Sequence, residues 1–218
     1  MTLILNSAEI KECVQFNAEL IPIIEDAFKS LSLGKTVMPP ILRLDIEKFH
    51  GESDVKAAYI EGLDSFAVKV ASGFFNNPKL GLPSSNGLMI LLDSQTGVIK
   101  SVLLDKGYLT DVRTAIAGAI ASKYLSNPES STVAIIGTGI QARMQLEALS
   151  LVRDIKNVNV WSRDIKKTHA YIEDVSKNIN LNFTAFDNTN EVVNNADILI
   201  TTTPSKKPLI DFSSFPKG

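Results

Sequence analysis

Apolar residues in the first part of the chain follow strand spacing on both sides of one helical stretch. The segment "MTLILN" predicts a short strand, and Asn6 followed by Glu9 resembles a capping box that opens a helix extending to about Leu31. Two prolines in "GKTVMPPILRLD" end this helical pattern. From Asp54 to Leu104, turns separate the strand-like segments "DVKAAYI", "SFAVKVASGF", "GLMILLD" and "GVIKSVLLD". The pattern predicts an α+β unit with an antiparallel sheet.

A further helix is predicted over "YLTDVRTAIAGAIASKYL", residues 108 to 125. Thr110 is the expected N-cap, and Asp111 places a negative charge in the first turn, where it favours the helix dipole. Arg113 places a cation in the same turn, which opposes the dipole by roughly a few tenths of a kcal/mol. This unfavourable placement indicates that a positive charge at that end of the helix has a functional role.

The spacing of apolar segments changes after "SNPESS", the polar stretch at residues 126 to 131. Beyond it, the short apolar segments "TVAIIG", "NVNVW", "NFTAF" and "DILITT" are separated by helix-length stretches, which indicates a parallel sheet wound with helices. The predicted fold class is therefore α/β: a Rossmann-like parallel-sheet domain over residues 126–218, preceded by an α+β domain over residues 1–125.

Composition and charge narrow the range of partners. The sequence has 218 residues, of which 44% are hydrophobic and 21% charged, and its net charge is −2. Such a balance is typical of a globular protein, and it provides no basic field for nucleic acid or an anionic membrane. No basic leader or membrane-length apolar run occurs, and Cys13 is the only cysteine, so we expect a cytoplasmic protein. His50 and His169 lie far apart, so no metal site is expected.

A G-x-G-x-x-A fingerprint joins the strand "TVAIIG" to the helix-like stretch that follows it. Gly137 permits the tight turn, Gly139 lets the backbone approach a pyrophosphate at the positive helix end, and Ala142 keeps helix and strand close. This strand–glycine–helix context predicts a dinucleotide site made by Gly137, Thr138, Gly139, Ile140, Gln141 and Ala142.

The end of the next strand indicates which dinucleotide binds. In "VNVWSRD", Ser162 and Arg163 stand where an NAD enzyme usually carries a carboxylate for the ribose hydroxyls. A hydroxyl and a guanidinium suit a 2′-phosphate, so NADP is the preferred cofactor and NAD the alternative. Asp164 would supply the acid if the strand ended later, and Arg163 with Asp164 would otherwise simply begin the next helix.

Two segments in this order resemble the ornithine cyclodeaminase and mu-crystallin superfamily. They are "DVRTAIAGAIASKYL" leading into "VAIIGTGIQAR", with "FAVKVASGFFNNPKLGLPSSNGLMILLD" upstream. The resemblance implies that the second domain binds NAD(P)(H), that a small amino or imino acid binds between the domains, and that the first domain forms a homodimer.

The resemblance also assigns roles to individual residues. It implies that Arg113 grips the substrate carboxylate with Arg43 and Lys69, that Lys69 is the catalytic candidate, and that Ser84 faces the substrate. It adds Thr202 and Thr203 to the cofactor site. Two simpler interpretations stay open: Lys69 as an edge or snorkelling lysine, and Arg43 as a surface charge.

The sequence departs from the family pattern at two places. Cyclodeaminases carry an aspartate that acts as general base in the loop after the fourth strand of the nucleotide domain, whereas "ILITTTPSKKPLI" places Ser205 there. A hydroxyl is a poor base, so ammonia loss is not favoured. The sequence also stops at "DFSSFPKG", where relatives continue, which makes this chain a fragment or a short form.

These observations predict an NAD(P)H-dependent imine reductase that converts a cyclic imino acid such as Δ1-pyrroline-2-carboxylate to proline. Ornithine cyclodeaminase is the first alternative, and amino-acid dehydrogenation, for example of alanine, is another enzymatic variant. A non-catalytic NADPH- or ligand-binding protein is the alternative of a different class.

Overall fold

The computed structural model describes residues 1–211, and within it the chain divides into two compact units. The first unit contains Met1–Phe16 and Pro22–Val112, and the second joins Asn17–Ile21 to the chain from Arg113 onward. The sequence-based boundary at residues 125/126 lies at the end of the helix Tyr108–Leu125, whereas this division at residues 112/113 lies near its start. The second boundary falls inside that helix.

The first unit is built on a seven-stranded sheet with the order β1-β7-β6-β5-β4-β2, in which β3 also pairs with β4. The strands are β1 (Leu3–Asn6), β2 (Thr36–Val37), β3 (Leu42–Ile46), β4 (Gly51–Ile60), β5 (Ser65–Phe74), β6 (Ser85–Asp93) and β7 (Ile99–Leu104). All neighbours are antiparallel except β1 and β7, which run parallel. The predicted α+β unit is therefore confirmed.

The first helical stretch consists of two helices, α1 (Ser7–Cys13) and α2 (Leu20–Ser32), so the prediction of one continuous helix is wrong. The capping box at the start of α1 is confirmed: the Asn6 side chain accepts from the Glu9 amide, and the Glu9 carboxylate accepts from the Asn6 amide. The chain turns again before α2, where the Asn17 side chain accepts from the Glu19 amide at 2.9 Å. An Asx turn of this kind competes with helix propagation.

The long helix α3 (Tyr108–Leu125) begins two residues before Thr110, so Thr110 is not its cap. The buried carboxylate of Asp105 instead accepts from the backbone amides of Gly107, at 3.2 Å, and Leu109, at 2.8 Å. Arg113 therefore lies in the second turn, where the helix dipole opposes a cation less than in the first turn.

Arg153 closes the other end of α3. Its guanidinium donates to the carbonyl oxygens of Ser122, Lys123 and Ser126, at 2.7–3.1 Å, and to the Ser126 hydroxyl at 2.9 Å. The last carbonyls of a helix lack partners within the helix, and a cation there also favours the dipole. Arg153 therefore stabilises the C-terminal end of α3.

The second unit is a parallel α/β layer, as predicted. It contains β8 (Thr132–Ile136), α4 (Ile140–Ser150), β9 (Asn157–Trp161), α5 (Ile165–Val175), β10 (Asn182–Phe186), α6 (Thr189–Val192) and β11 (Ile198–Thr201). The strand order is β10-β9-β8-β11, and every neighbouring pair is parallel.

Apolar side chains cover both faces of β8 in this sheet. Val133 and Ile135 pack in one cluster with Leu146 of α4 and Tyr171 of α5, whereas Ala134 and Ile136 pack in another cluster with Val192 and Val193. A strand that is buried on both faces has a continuous run of apolar residues, and this run in "TVAII" allowed the strand to be predicted from the sequence. This packing fixes the carboxyl end of β8 beside the start of α4.

No helix among residues 1–211 combines the length and the apolar character that crossing a bilayer requires.

Candidate dinucleotide-binding and substrate-binding residues

The first fingerprint glycine occupies a position that excludes other residues. Gly137 follows β8 directly and has φ +113°, in the region that favours glycine. Its amide donates to the Trp161 carbonyl oxygen at 2.8 Å, and an added Cβ would stand 2.7 Å from the Thr202 carbonyl oxygen. The turn after β8 therefore depends on glycine for its conformation and for its close approach to the end of β11.

The second fingerprint glycine faces open space. Gly139 is the N-cap of α4 with extended backbone angles, no side chain caps the helix there, and no atom lies within 4 Å of an added Cβ. The first turn of a helix presents amide groups that attract an anion. The space that Gly139 leaves beside this helix end fits a pyrophosphate group, and the fully buried Ala142 holds α4 against the sheet.

The other predicted cofactor residues lie around this loop. Thr202 follows β11 and donates its amide to the Ile136 carbonyl oxygen at 2.9 Å, which places it beside the end of β8. The Thr203 hydroxyl accepts from the Ser205 amide at 3.3 Å. The second unit thus brings the glycine loop and the Thr202–Thr203 segment together at the carboxyl ends of β8 and β11, where α/β sheets bind ligands.

The ribose end of the candidate site is shaped by Ser162 and Asp164. β9 ends at Trp161, and Asp164 is the N-cap of α5, where its carboxylate accepts from the Lys166 amide at 3.0 Å. The Ser162 hydroxyl donates to the Asp164 carbonyl oxygen at 2.8 Å. Asp164 therefore belongs to the helix start rather than to a longer strand, and Arg163, just before it, is exposed.

The loop after β11 holds Ser205 within its own turn. The Ser205 hydroxyl donates to the Lys207 carbonyl oxygen at 2.8 Å and accepts from the Lys207 amide at 3.3 Å. An unionised hydroxyl engaged in this way is a poor general base.

Two of the predicted substrate residues share one face of the sheet in the first unit. In the strand register Arg43 stands opposite Asp54, and Lys69 stands opposite Lys56, two residues further along β4. Because side chains alternate along a strand, Arg43 and Lys69 project to the same side of the sheet. Ser84 precedes β6, where its carbonyl oxygen accepts from the Phe74 amide at 2.8 Å.

Carboxylates surround Arg43 in this structure. Its guanidinium donates to Asp45 at 3.0 Å and to Glu52 at 2.5 Å, and it lies 3.8 Å from Asp54. The hydrogen bonds to Asp45 and Glu52 raise the pKa of Arg43. A substrate carboxylate would have to displace one of these partners, so Arg43 is a weaker candidate ligand than its position on the sheet indicates.

Arg113 lies in the second unit, in the second turn of α3, and its side chain is exposed. The predicted substrate residues are therefore divided between the units. No cluster of three or more histidine, cysteine, aspartate or glutamate side chains suitable for a metal ion occurs in the part of the chain that the structure describes.

The sequence analysis missed Arg143. This residue of α4 donates to two carbonyl oxygens of the glycine loop and stacks over Tyr171. It stands at the end of "GTGIQAR", but the fingerprint assigns no role to that position, and two of its partners, Tyr171 and Asp174, lie far away in the sequence.

A family model, described as the ornithine cyclodeaminase/mu-crystallin family, matches residues 1–213. The chain belongs to this family. Within the family, a Sinorhizobium fredii protein named an uncharacterized cyclodeaminase is 48% identical over 208 residues, which are 95% of this chain and 63% of that protein. The chain thus spans less than two thirds of the length of this relative.

Solved structures of the ornithine cyclodeaminase/mu-crystallin family share the fold. The Thermococcus litoralis Δ1-pyrroline-2-carboxylate reductase, in complex with NADH and L-proline, matches with a TM-score of 0.92 and 31% identity, covering 98% of this chain and 66% of that chain. An archaeal alanine dehydrogenase dimer with bound NAD matches with a TM-score of 0.88 and 33% identity, covering 98% of this chain and 64% of that chain. These structural neighbours bind NAD or NADH.

Proposed function

We propose that this family member is an NAD(P)H-dependent reductase of a cyclic imino acid such as Δ1-pyrroline-2-carboxylate, which it converts to proline. The observation that carries the proposal is the loop after β11. In this loop Ser205 is engaged in its own turn, and the family resemblance implies a carboxylate base at this position in a cyclodeaminase. Imine reduction requires no such base, because no ammonia has to leave. The similarity to the Thermococcus litoralis reductase supports this choice.

The residues of the chain bind and orient the reactants. The dinucleotide, when bound at the glycine loop, supplies the hydride. Arg113 is the proposed ligand of the substrate carboxylate, with Lys69 and Arg43 as further candidates; Arg43 first has to exchange one of its carboxylate partners. A charge-assisted hydrogen bond to the carboxylate orients the imine, and positioning supplies much of the rate. Lys69 is the candidate to hold the proton that the imine nitrogen needs.

NADP is the proposed cofactor in preference to NAD. The carboxylate of Asp164 is engaged at the start of α5, and the side chains that flank it, Arg163, Lys166 and Lys167, are exposed cations. A 2′-phosphate carries negative charge that these groups attract, whereas the diol of NAD gains less from them.

A homodimer formed through the first unit is the proposed assembly. The sheet face opposite Arg43 and Lys69 carries the row Leu42, Val55, Val70 and Leu88 and the row Ala57, Val68, Ile90 and Val102. These side chains are partly or fully exposed in the single chain. A contiguous apolar face of this kind is typical of an interface between subunits, and the archaeal alanine dehydrogenase is a dimer.

Amino-acid dehydrogenation is the second candidate, because the alanine dehydrogenase is as similar in sequence as the reductase. Parallel assays of the purified chain distinguish the candidates. Consumption of NAD(P)H with Δ1-pyrroline-2-carboxylate supports the reductase, consumption with pyruvate and ammonia supports the dehydrogenase, and ammonia release from ornithine with NAD⁺ supports a cyclodeaminase. Binding of NADPH without any turnover supports a binding protein. The cytoplasmic location stays a prediction.

A further inference from the structure

Arg143 connects the glycine loop to α5. One guanidinium nitrogen, Nη1, donates to the carbonyl oxygens of Thr138, at 2.7 Å, and Gly139, at 3.2 Å. The Nε group donates to the Asp174 carboxylate at 2.9 Å, and the guanidinium carbon lies 4.9 Å from the centre of the Tyr171 ring. All these groups lie in the second unit, so the connection is internal to it.

The bond to Thr138 controls a peptide that the helix itself does not control. The carbonyl of the N-cap residue, Gly139, accepts the first hydrogen bond within α4, but the carbonyl of Thr138 precedes this ladder. Arg143 therefore fixes the plane of the peptide between Thr138 and Gly139. In a trans peptide the N–H points opposite to the C=O, so the Gly139 amide is directed away from Arg143.

The direction of this amide matters because of what surrounds Gly139. No atom lies within 4 Å of an added Cβ at Gly139, so there is room for a ligand group beside its backbone. An amide held in one direction next to a helix N-terminus is a donor prepared for a phosphate oxygen. If the peptide rotated, the carbonyl oxygen would replace the amide and repel the phosphate.

Asp174 and Tyr171 hold Arg143 in its position. Asp174 pairs with the guanidinium, which lowers the pKa of that carboxyl group, and the Tyr171 ring supports the guanidinium face. Tyr171 is itself fixed, because its hydroxyl donates to the Ala142 carbonyl oxygen at 3.1 Å. The positive charge of Arg143 is thus already balanced by an anion, which favours a geometric role over a direct charge on the phosphate.

We infer that Arg143 is a positioning residue for the dinucleotide: through the Thr138 carbonyl it directs the Gly139 amide toward the pyrophosphate. This inference rests on the proposed cofactor site, but it concerns a residue outside the G-x-G-x-x-A fingerprint. Arg143 acts through the loop and does not itself contact the cofactor.

The test compares two substitutions of Arg143 with one control. Arg143→Lys keeps the charge but lacks the planar group that donates simultaneously to the loop and to Asp174, whereas Arg143→Gln removes the charge. Arg153→Lys is the matched control, because Arg153 also binds several backbone carbonyls of the second unit, at the end of α3. Dissociation constants for NADPH and NADH are measured on the 218-residue chain by fluorescence titration, well below each melting temperature.

We expect both Arg143 variants to bind NADPH and NADH about tenfold more weakly than the wild type, as the loss of one prepared hydrogen bond to a charged group implies. The Arg153→Lys control keeps wild-type affinity. Asp174→Asn retains Arg143, and its cofactor affinity is measured in place of theirs if the Arg143 variants do not fold. It weakens binding by a smaller factor of about three, since the guanidinium keeps its other partners.

Two results overturn the inference while the proposed function stands. One is wild-type affinity in both Arg143 variants. The other is wild-type affinity in Arg143→Lys together with weak binding in Arg143→Gln, which would show that the charge acts directly. A wild-type chain that binds neither NADPH nor NADH is a different outcome, since it contradicts the proposed function and the inference with it.

Discussion

The carbonyl oxygen of Thr202 lies 2.7 Å from the point that a Cβ on Gly137 would occupy. The two residues follow β8 and β11, which are paired in parallel, so the turn after one strand closes against the chain leaving the other. Gly139, two residues further on, meets no such neighbour. The two glycines of one fingerprint therefore serve different purposes, and substitutions separate them.

Gly137→Ala is expected to lower both stability and cofactor affinity, because the new Cβ meets backbone and the left-handed φ strains the residue. The cost of such strain is about 1–3 kcal/mol. Gly139→Ala is the matched substitution and is expected to weaken NADPH binding with little change in melting temperature, because its Cβ occupies only the space left for the ligand. Thermal unfolding and fluorescence titration of both variants check this. Equal losses of stability in the two variants would contradict it.

Arg163→Ala is expected to reduce the affinity for NADPH by about tenfold and to leave the affinity for NADH nearly unchanged, since only NADPH carries the 2′-phosphate. Paired titrations with the two cofactors measure the ratio. Lys177→Ala, which removes an exposed cation beyond the end of α5, is the control for the general loss of positive charge. An unchanged ratio in Arg163→Ala would remove the reason for preferring NADP.

Arg113→Ala is expected to raise KM for the imino acid about thirtyfold, as the loss of a charge-assisted hydrogen bond of about 2 kcal/mol implies, with cofactor affinity unchanged. Arg43→Ala is expected to raise KM by a smaller factor, because Asp45 and Glu52 already bind this guanidinium. Steady-state kinetics with varied imine at saturating cofactor measure both effects. The assignment of Arg113 fails if its KM stays at the wild-type value.

Arg153→Ala is expected to destabilise the chain by about 2 kcal/mol, because it leaves several carbonyls at the end of α3 without their cation. Arg153→Lys recovers part of that loss, since an ammonium retains the charge but not the planar set of donors. Urea unfolding of the three proteins gives the free energies. A loss below about 0.5 kcal/mol, which is typical of an ordinary surface site, would contradict the role of Arg153.

Asp93 makes a defined contribution to acid stability. Its carboxylate accepts from the Thr96 hydroxyl at 2.8 Å and from the amides of Thr96 and Gln95, and these hydrogen bonds lower its pKa. A carboxyl group with a lowered pKa in the folded state stabilises the fold above its unfolded pKa of about 3.9, and this contribution disappears as the pH falls through the lower folded value. Asp93→Asn is therefore expected to be less stable than the wild type at pH 7.

The same comparison at low pH completes the test of Asp93. The difference in unfolding free energy between wild type and Asp93→Asn is expected to shrink as the pH falls below about 4, because the wild-type carboxyl group then becomes neutral as well. Urea unfolding at pH 7 and pH 3 measures it. A difference that stays constant across this range would show that the charge of Asp93 contributes nothing.

Local patterns were sufficient to predict most of the fold. The Asn6–Glu9 capping box involves residues three positions apart, and most strands of both units follow from apolar spacing and turns. The strands β2 and β3 were missed, because the prolines of "GKTVMPPILRLD" indicated only the end of a helix. The errors came from contacts between distant positions. Asp105 caps α3 in place of Thr110. Lys106 and Gly107, which follow Asp105, both have a positive φ, and the local sequence did not indicate this conformation.

The candidate site could be predicted only where a motif is continuous in the sequence. Gly137, Gly139 and Ala142 lie within six consecutive residues, and their geometry depends on one strand and one helix. Arg143 pairs with Asp174, 31 residues away, and Glu52 and Asp54 are brought beside Arg43 by the register of β3 and β4. Neither relationship has a local signature, which is why the sequence identified the cofactor loop but not the residues that hold it.

The proposal that this chain reduces a cyclic imine is tested most directly by following the hydride. NADPH carrying deuterium at both positions of nicotinamide C4 is incubated with the purified chain and Δ1-pyrroline-2-carboxylate, and the product is examined by mass spectrometry. We predict proline with one deuterium at Cα, formed at a rate that depends on the amount of chain. Bound NADPH without any labelled proline would contradict the account.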